Sequence, residues 1–311
     1  MMIKQRGFTL VELLITLVIS STIIAGLGQL LLQSKQTYKT QQTLSHMVEE
    51  GRYILEVLTK EIRRIGYLRN RAASTGGAVG SADTVFLEDI DALGSGITMA
   101  AGASIAGAFD ENGFDGESHN VNKLVFRYQL NDKSELSASE PDYGSSPCTI
   151  GLTLDIAEDP TIVKHVVTIY LYVTYDDETQ SQTLFCEAKR ETIISTDAGL
   201  SWHPTQVAPD GDPVARPLLS NVEKLLVLYG VDTDVLPDNA ANVYLRADGV
   251  IEWTTVVSIR LYVILRSEET NVAHSTPSYA IDGQPQSVLE PNERRLYRVF
   301  STTIAPRATN H

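Results

Sequence analysis

Proline is missing from the first 140 residues, Pro141 being the first of 12 in the chain, so nothing in that stretch obliges a helix to kink or stop. Cysteine is scarce as well. Cys148 and Cys186 are the only two, and neither belongs to a Cys-x-x-Cys pair, which argues against a structural zinc site. The six histidines, at 46, 119, 165, 203, 274 and 311, are scattered over unrelated contexts. No His-Glu-x-x-His, no Gly-x-Ser-x-Gly and no Gly-x-x-x-x-Gly-Lys-Ser/Thr occurs, so the chain offers no metalloprotease helix, nucleophile elbow or phosphate loop. An enzyme is not expected. Positive charge is also short, with 25 Lys and Arg against 39 Asp and Glu for a net −14. Residues 1–71 hold ten Lys and Arg against five Glu, which leaves the remainder at −19. An acidic body of that kind is a poor candidate for nonspecific binding to a phosphate backbone, and no nucleic acid is expected as a partner.

What the chain does have is one apolar run, Phe8 to Leu32, interrupted by a single charge at Glu12. As a helix it is about 37 Å long, enough to span a hydrocarbon core of about 30 Å with some tilt. A carboxylate at membrane depth costs roughly 2.5–3.5 kcal/mol and marks a functional position by default. Lys4, Arg6 and then Gly7 precede the run, whereas an ordinary secretory signal is cut at small residues after its apolar region. Cleavage between Gly7 and Phe8 would instead leave the apolar helix in the mature protein and give Phe8 a new α-amine. Glu12 would stand one helical turn away, about 6 Å along the axis, where amine and carboxylate can neutralise each other. Orientation from Lys and Arg is ambiguous, since Lys4 and Arg6 on one side face Lys35 and Lys39 on the other.

Beyond Leu32 the sequence turns polar without a helix stop. Leu44, Val48, Gly51, Leu55, Leu58, Ile62 and Ile65 then fall at alternating four- and three-residue steps, with Glu49, Glu50, Arg52, Glu56, Lys60, Glu61, Arg63 and Arg64 on the other faces. The spacing predicts one helix over 8–66, transmembrane over 8–32, packed on a domain in its second half and stopped by Gly66. Gly26 and Gly28 permit local unwinding or close helix packing equally. Residues 67–120 read as an Ala/Gly/Ser-rich connection with one short strand at Thr84 to Leu87. Strand signals follow at Lys123–Leu130, Thr149–Ile156, Val166–Tyr175, Gln182–Arg190, Val222–Val231, Val243–Arg246, Thr255–Arg266 and Arg295–Ile304. An antiparallel sheet covering the helix stripe is expected over 121–311, giving an α+β fold with a long N-terminal helix.

Gly7-Phe8-Thr9-Leu10-Val11-Glu12 resembles the class III, type IV prepilin leader, and residues 1–7 would be that leader. Gln33 to Tyr38, Glu50 to Tyr53, Ile62 to Tyr67, Leu228 to Asp232, Val256 to Arg260 and Arg294 to Phe300 extend the resemblance to the PilW-type minor pilins. These are the pilus counterparts of the J-type pseudopilins of type II secretion. The resemblance covers both ends well and residues 72–220 poorly. It implies a pilin-like fold, cleavage at Gly7, N-methylation of Phe8 and an assembly role for Glu12. It also implies a single-pass inner-membrane protein with a periplasmic domain that moves to the pilus tip or fibre. The implied partners are the prepilin peptidase, other minor pilins, the major pilin and a large tip adhesin. The protein would prime pilus assembly and sit at or near the tip. A J-type pseudopilin, or a tip receptor binding DNA or a surface ligand, are the alternatives. In an oxidising periplasm Cys148 and Cys186 are expected to form a disulfide, with two separate buried thiols as the other reading.

Two acidic loops carry candidate metal ligands. Asp110 to Glu117 and the set Asp232, Asp234 and Asp238 offer hard oxygen ligands, but neither has the spacing of an EF-hand. They read as solvated carboxylates, with no cofactor expected and calcium left as an alternative. Tyr170, Tyr172 and Tyr175 read as sheet packing.

Overall fold

The computed structural model describes residues 9–67, 86, 88–89, 92–110, 121–129, 147–149, 163–195, 204–209, 213–236, 238–273, 277–286, 288 and 291–306. Helix α1, Leu10–Ile62, is 53 residues long, about 80 Å at 1.5 Å per residue. Thr9 caps it in an extended conformation, its hydroxyl accepting from the Glu12 N–H at 3.3 Å. It runs unbroken through Gly26 and Gly28, so neither glycine interrupts it. The helix ends four residues before Gly66, which takes φ +71 and turns the chain toward the sheet. The Gly66 N–H donates to the Arg127 carbonyl at 3.1 Å, and the Gln129 N–H to that of Tyr67 at 2.8 Å.

Twelve described strands follow: β1 Ile105–Asp110, β2 Val121–Gln129, β3 Val163–Asp176, β4 Ser181–Ser195, β5 Pro204–Pro209, β6 Val214–Ser220, β7 Val222–Val231, β8 Val243–Leu245, β9 Val256–Arg266, β10 Tyr279–Ile281, β11 Gln284–Gln286 and β12 Tyr297–Ile304. One sheet has the order β1-β2-β3-β4-β5, with β6 also paired to β4; a second has the order β12-β9-β7-β8; β10 and β11 form a separate hairpin. The described pairings of these strands are antiparallel. A single residue, Asn221 at φ +58, separates β6 in the first sheet from β7 in the second. Asn tolerates this left-handed conformation better than most residues, which lets the chain change sheets without a loop.

Long α1 and antiparallel sheets make this an α+β fold of the expected kind. Two features differ from the sequence expectation, and two expected strands lie almost wholly outside the described residues. β1 lies inside the stretch read as an irregular connection, and β5, β6 and the β10–β11 hairpin carried no recognised strand signal. Of the strand expected at Thr149–Ile156, only Thr149 is described, in a turn, and the rest lies outside the described residues. Of Thr84 to Leu87 only Phe86 is described, in a bend. The helix stripe is buried as expected at Gly51, Leu58, Ile62 and Ile65 but is displaced elsewhere. Met47, Gly51, Ile54, Val57, Leu58, Glu61 and Ile62 are the buried residues of α1, whereas Leu44, Val48 and Leu55 are half-buried. Glu61, expected on the solvent side, is 1% exposed and lies within 4.0 Å of Arg64.

The main core gathers that stripe with the inner faces of both sheets: Leu124, Phe126, Ile169, Leu171 and Leu184 from the first, Leu225, Val227, Ile259, Leu261 and Val263 from the second. The outer face of the first sheet is covered by the segment 92–103, which Arg127 holds down. Its guanidinium donates to the carbonyls of Ala103 at 2.6 Å and Ala100 at 2.7 Å and stacks on Phe86. Burial lowers its pKa to about 10, still charged at neutral pH, and satisfied carbonyls compensate the buried charge. Cys148 and Cys186 form a disulfide with Cα atoms 5.6 Å apart, tying the 147–149 turn to the inner face of β4.

Candidate assembly site

From Leu10 to Leu32 no residue of α1 is buried, and its large apolar side chains are between half and three-quarters exposed. The best 18-residue window of the helix has a mean hydropathy of 2.2, which is long and apolar enough to cross a membrane. Three of its hydroxyls are satisfied within the helix. Thr16, Ser21 and Thr22 return their hydroxyls to the carbonyls of Leu13, Val18 and Ile19 at 2.8–2.9 Å. Glu12 is the one ionisable side chain between Thr9 and Leu32. It occupies the first turn, where the helix dipole favours an anion, and with Thr9 it makes a Thr-x-x-Glu start. Gly7 and Phe8 lie outside the described residues.

The domain grips α1 well above this segment. Lys39 meets Glu269 at 2.6 Å, a surface pair with both partners about half exposed and worth little by itself. The Glu269 loop is braced by Arg295, whose guanidinium donates to the carbonyls of Ser267 and Glu268 and to Glu293. Beside it, burial raises the pKa of Glu50, with Glu268 adding to the rise and His46 opposing it. Further along, Gly51 packs beneath the ring of Phe300, and the Arg64 guanidinium lies over Tyr128.

Two family models match this chain: prokaryotic N-terminal methylation motif over residues 2–28, and Type IV Pilus-assembly protein W over residues 171–307. Together the two matches support a PilW-family type IV minor pilin. The methylation motif spans Gly7, Phe8 and Glu12, and the PilW match runs from within β3 through β12. Together with the apolar helix they fit inner-membrane anchoring with a periplasmic domain. The PilW family is a structural pilus component and not an enzyme family. No curated protein and no solved structure matched the chain.

Within the PilW match the structure gives the sequence motifs architectural work. In Leu228 to Asp232, Tyr229 is buried edge-on to Trp253 at 4.8 Å. Gly230 leaves room for Tyr244 to lie across β7 and reach the Ser258 hydroxyl at 3.1 Å. Arg260 then stacks over the Tyr244 ring at 3.9 Å, and Phe300 supplies the contact to the helix. Tyr170 and Tyr172 stack at 4.4 Å with Phe185 alongside Tyr172, whereas Tyr175 is half exposed.

Asp232, Asp234 and Asp238 bring carboxylate oxygens within 4.8 Å of one another. The buried Asp232 carboxylate already accepts three backbone N–H groups, from Asp234, Asp238 and Asn239, at 2.9–3.0 Å. That accounts for the cluster as the lock of a loop. Of the other acidic set, residues 111–117 lie outside the described residues.

Proposed function

We propose that the protein is a minor pilin that is cleaved after Gly7, is N-methylated at Phe8 and joins other minor pilins in a complex that primes the pilus and sits at or near its tip. The observation that carries this reading is the exposed apolar helix from Leu10 to Leu32, with Glu12 as its one charge, continuous with a helix half fixed to an acidic β-domain. A carboxylate at membrane depth is costly for a plain anchor, even where it helps to start the helix. A subunit that packs its helix among others has a use for it, because Glu12 answers an N-terminal amine within the bundle. Its work is packing, with no turnover. The acidic body would make lateral contacts in the periplasm while the anchor buries its apolar face against neighbouring helices.

Mass spectrometry of the mature N-terminus tests the processing step. Methylated Phe8 is the expected residue; an intact Met1 in cells with active prepilin peptidase overturns the reading.

A further inference from the structure

Three aliphatic side chains far from the membrane segment stand wholly in solvent: Val235 is 98% exposed, Leu236 85% and Ile251 101%. They sit on two loops, residues 232–242 between β7 and β8 and residues 246–255 between β8 and β9. The loops meet where the Asp232 N–H donates to the Thr255 carbonyl at 3.0 Å. Single exposed aliphatics are ordinary on protein surfaces. Val235 and Leu236 differ because the backbone beneath them is fixed. One oxygen of the buried Asp232 carboxylate accepts from the Asp234 N–H and the other from those of Asp238 and Asn239, so the residues between are pushed outward. Asn242 closes the loop from the opposite side, its Oδ1 accepting from the Thr233 N–H at 2.6 Å. A rigid loop that holds apolar groups in water gains nothing within its own chain, but it lowers the ordering cost of a complex.

Position and charge narrow the occupant. α1 meets Glu269, just past the end of β9, at Lys39, and meets Phe300, opposite Val263 of β9, at Gly51. The helix therefore climbs as β9 descends, which puts the start of β9 and both loops at the end of the domain away from the membrane segment. The exposed carboxylates Asp234, Asp238, Asp248 and Glu252 border the aliphatics, while the nearby Arg246 is stacked on Phe109 at 4.8 Å. A second copy of this chain would bring the same four carboxylates and a net charge of −14 to the contact.

We propose that this membrane-distal pole docks a different protein, one that presents an apolar recess bordered by Lys and Arg. The inference rests on the reading of the chain as an assembly subunit and adds the face and chemistry of one partner. Rim charges of this kind act on encounter and specificity, while the central aliphatics fill the recess.

The test uses the whole chain in cells that make the pilus, with a photoreactive amino acid placed singly at Val235, Leu236 or Ile251, at the exposed control Gln284 and at Leu17 in the apolar helix. The expected result is an adduct with one other protein from the three pole positions and none from Gln284, with the linked partner peptide carrying Lys or Arg beside apolar residues. Charge reversal by Asp248→Lys with Glu252→Lys, which leaves the Asp232 lock intact, should lower the yield at Val235 by about fivefold or more, since rim charges govern association rate. Adducts only with a second copy, only with lipid, or none at the pole overturn the proposal, as does a yield indifferent to charge reversal. Leu17 separates the two levels: adducts with other pilins there and none at the pole defeat this proposal alone, whereas their loss at Leu17 defeats the assembly reading beneath it.

Discussion

The ring of Phe300 lies against the backbone of Gly51, and this contact sets how closely α1 approaches the second sheet. A Cβ placed on Gly51 would fall inside the van der Waals shell of the ring, because β12 presents Phe300 directly toward the helix. Glycine in a helix interior is otherwise a cost, about 1 kcal/mol relative to alanine.

Gly51→Ala therefore sets two effects against each other. Helix propensity favours the variant by about 1 kcal/mol, and overpacking opposes it by about 1–3 kcal/mol. The expected outcome is a net loss of stability in thermal or denaturant unfolding of the detergent-solubilised protein. Adding Phe300→Leu should recover part of the loss, and a double-mutant cycle should report coupling of about 1 kcal/mol or more. Strict additivity would show that the two residues do not press on each other.

A second close approach joins the two sheets. The Tyr229 hydroxyl sits over Gly107 of β1, fully buried, with no hydrogen-bond partner among the described residues. Burial pushes its pKa far above the ordinary phenol value, so it stays protonated. Tyr229→Phe removes a polar atom that gains nothing from its site and should be neutral or stabilising by up to about 1 kcal/mol, since an unsatisfied buried group carries a desolvation penalty of about 1–3 kcal/mol. Gly107→Ala should destabilise, and Tyr229→Phe should soften that loss by vacating the space. A Tyr229→Phe protein that unfolds markedly earlier would mean that the hydroxyl has a partner.

Gly51, Leu58, Ile62 and Ile65 were legible in the sequence as members of the helix stripe, but Leu44, Val48 and Leu55 are only half-buried while Met47 and Ile54 are buried. A 3.6-residue period fixes spacing well and phase poorly when charged residues interrupt it. Glu61 shows why, since a carboxylate counts as solvent-facing in any pattern while the fold can bury it beside Arg64. The strands of the second sheet were read almost to the residue, because Val222–Val231 and Val256–Arg266 are long and rich in β-branched and apolar side chains. β1 was not, for four of the six residues of Ile105–Asp110 are alanine, glycine or aspartate, and the segment is held as a strand by its pairing with β2. The methylation motif matched over residues 2–28 was legible in the run Gly7-Phe8-Thr9-Leu10-Val11-Glu12. Val235, Leu236 and Ile251 were not, since an aliphatic in a loop carries no signal until the backbone around it shows that it faces water.

The last prediction concerns Glu12, for which the structure supplies a competing role. Thr9 caps α1 and Glu12 stands three residues on, so helix initiation is a competing role for the carboxylate, an effect of about 0.3–1 kcal/mol from the dipole. Glu12→Gln and Glu12→Ala separate the possibilities. Glutamine keeps the length and hydrogen-bonding capacity of a capping box and loses the charge; alanine loses both. As a plain membrane anchor either variant should insert at least as well as the parent, because a charge that is costly in lipid is gone. If Glu12 answers an N-terminal amine in the helix bundle, both variants leave that amine unpaired at membrane depth and should fail alike. The expected outcome is normal membrane level and normal leader cleavage for both, with reduced co-purification of companion minor pilins and fewer surface pili. A Glu12→Gln strain that matches the parent while Glu12→Ala fails would assign the residue to helix initiation, and unchanged pilus number and co-purification in both would remove Glu12 from assembly altogether.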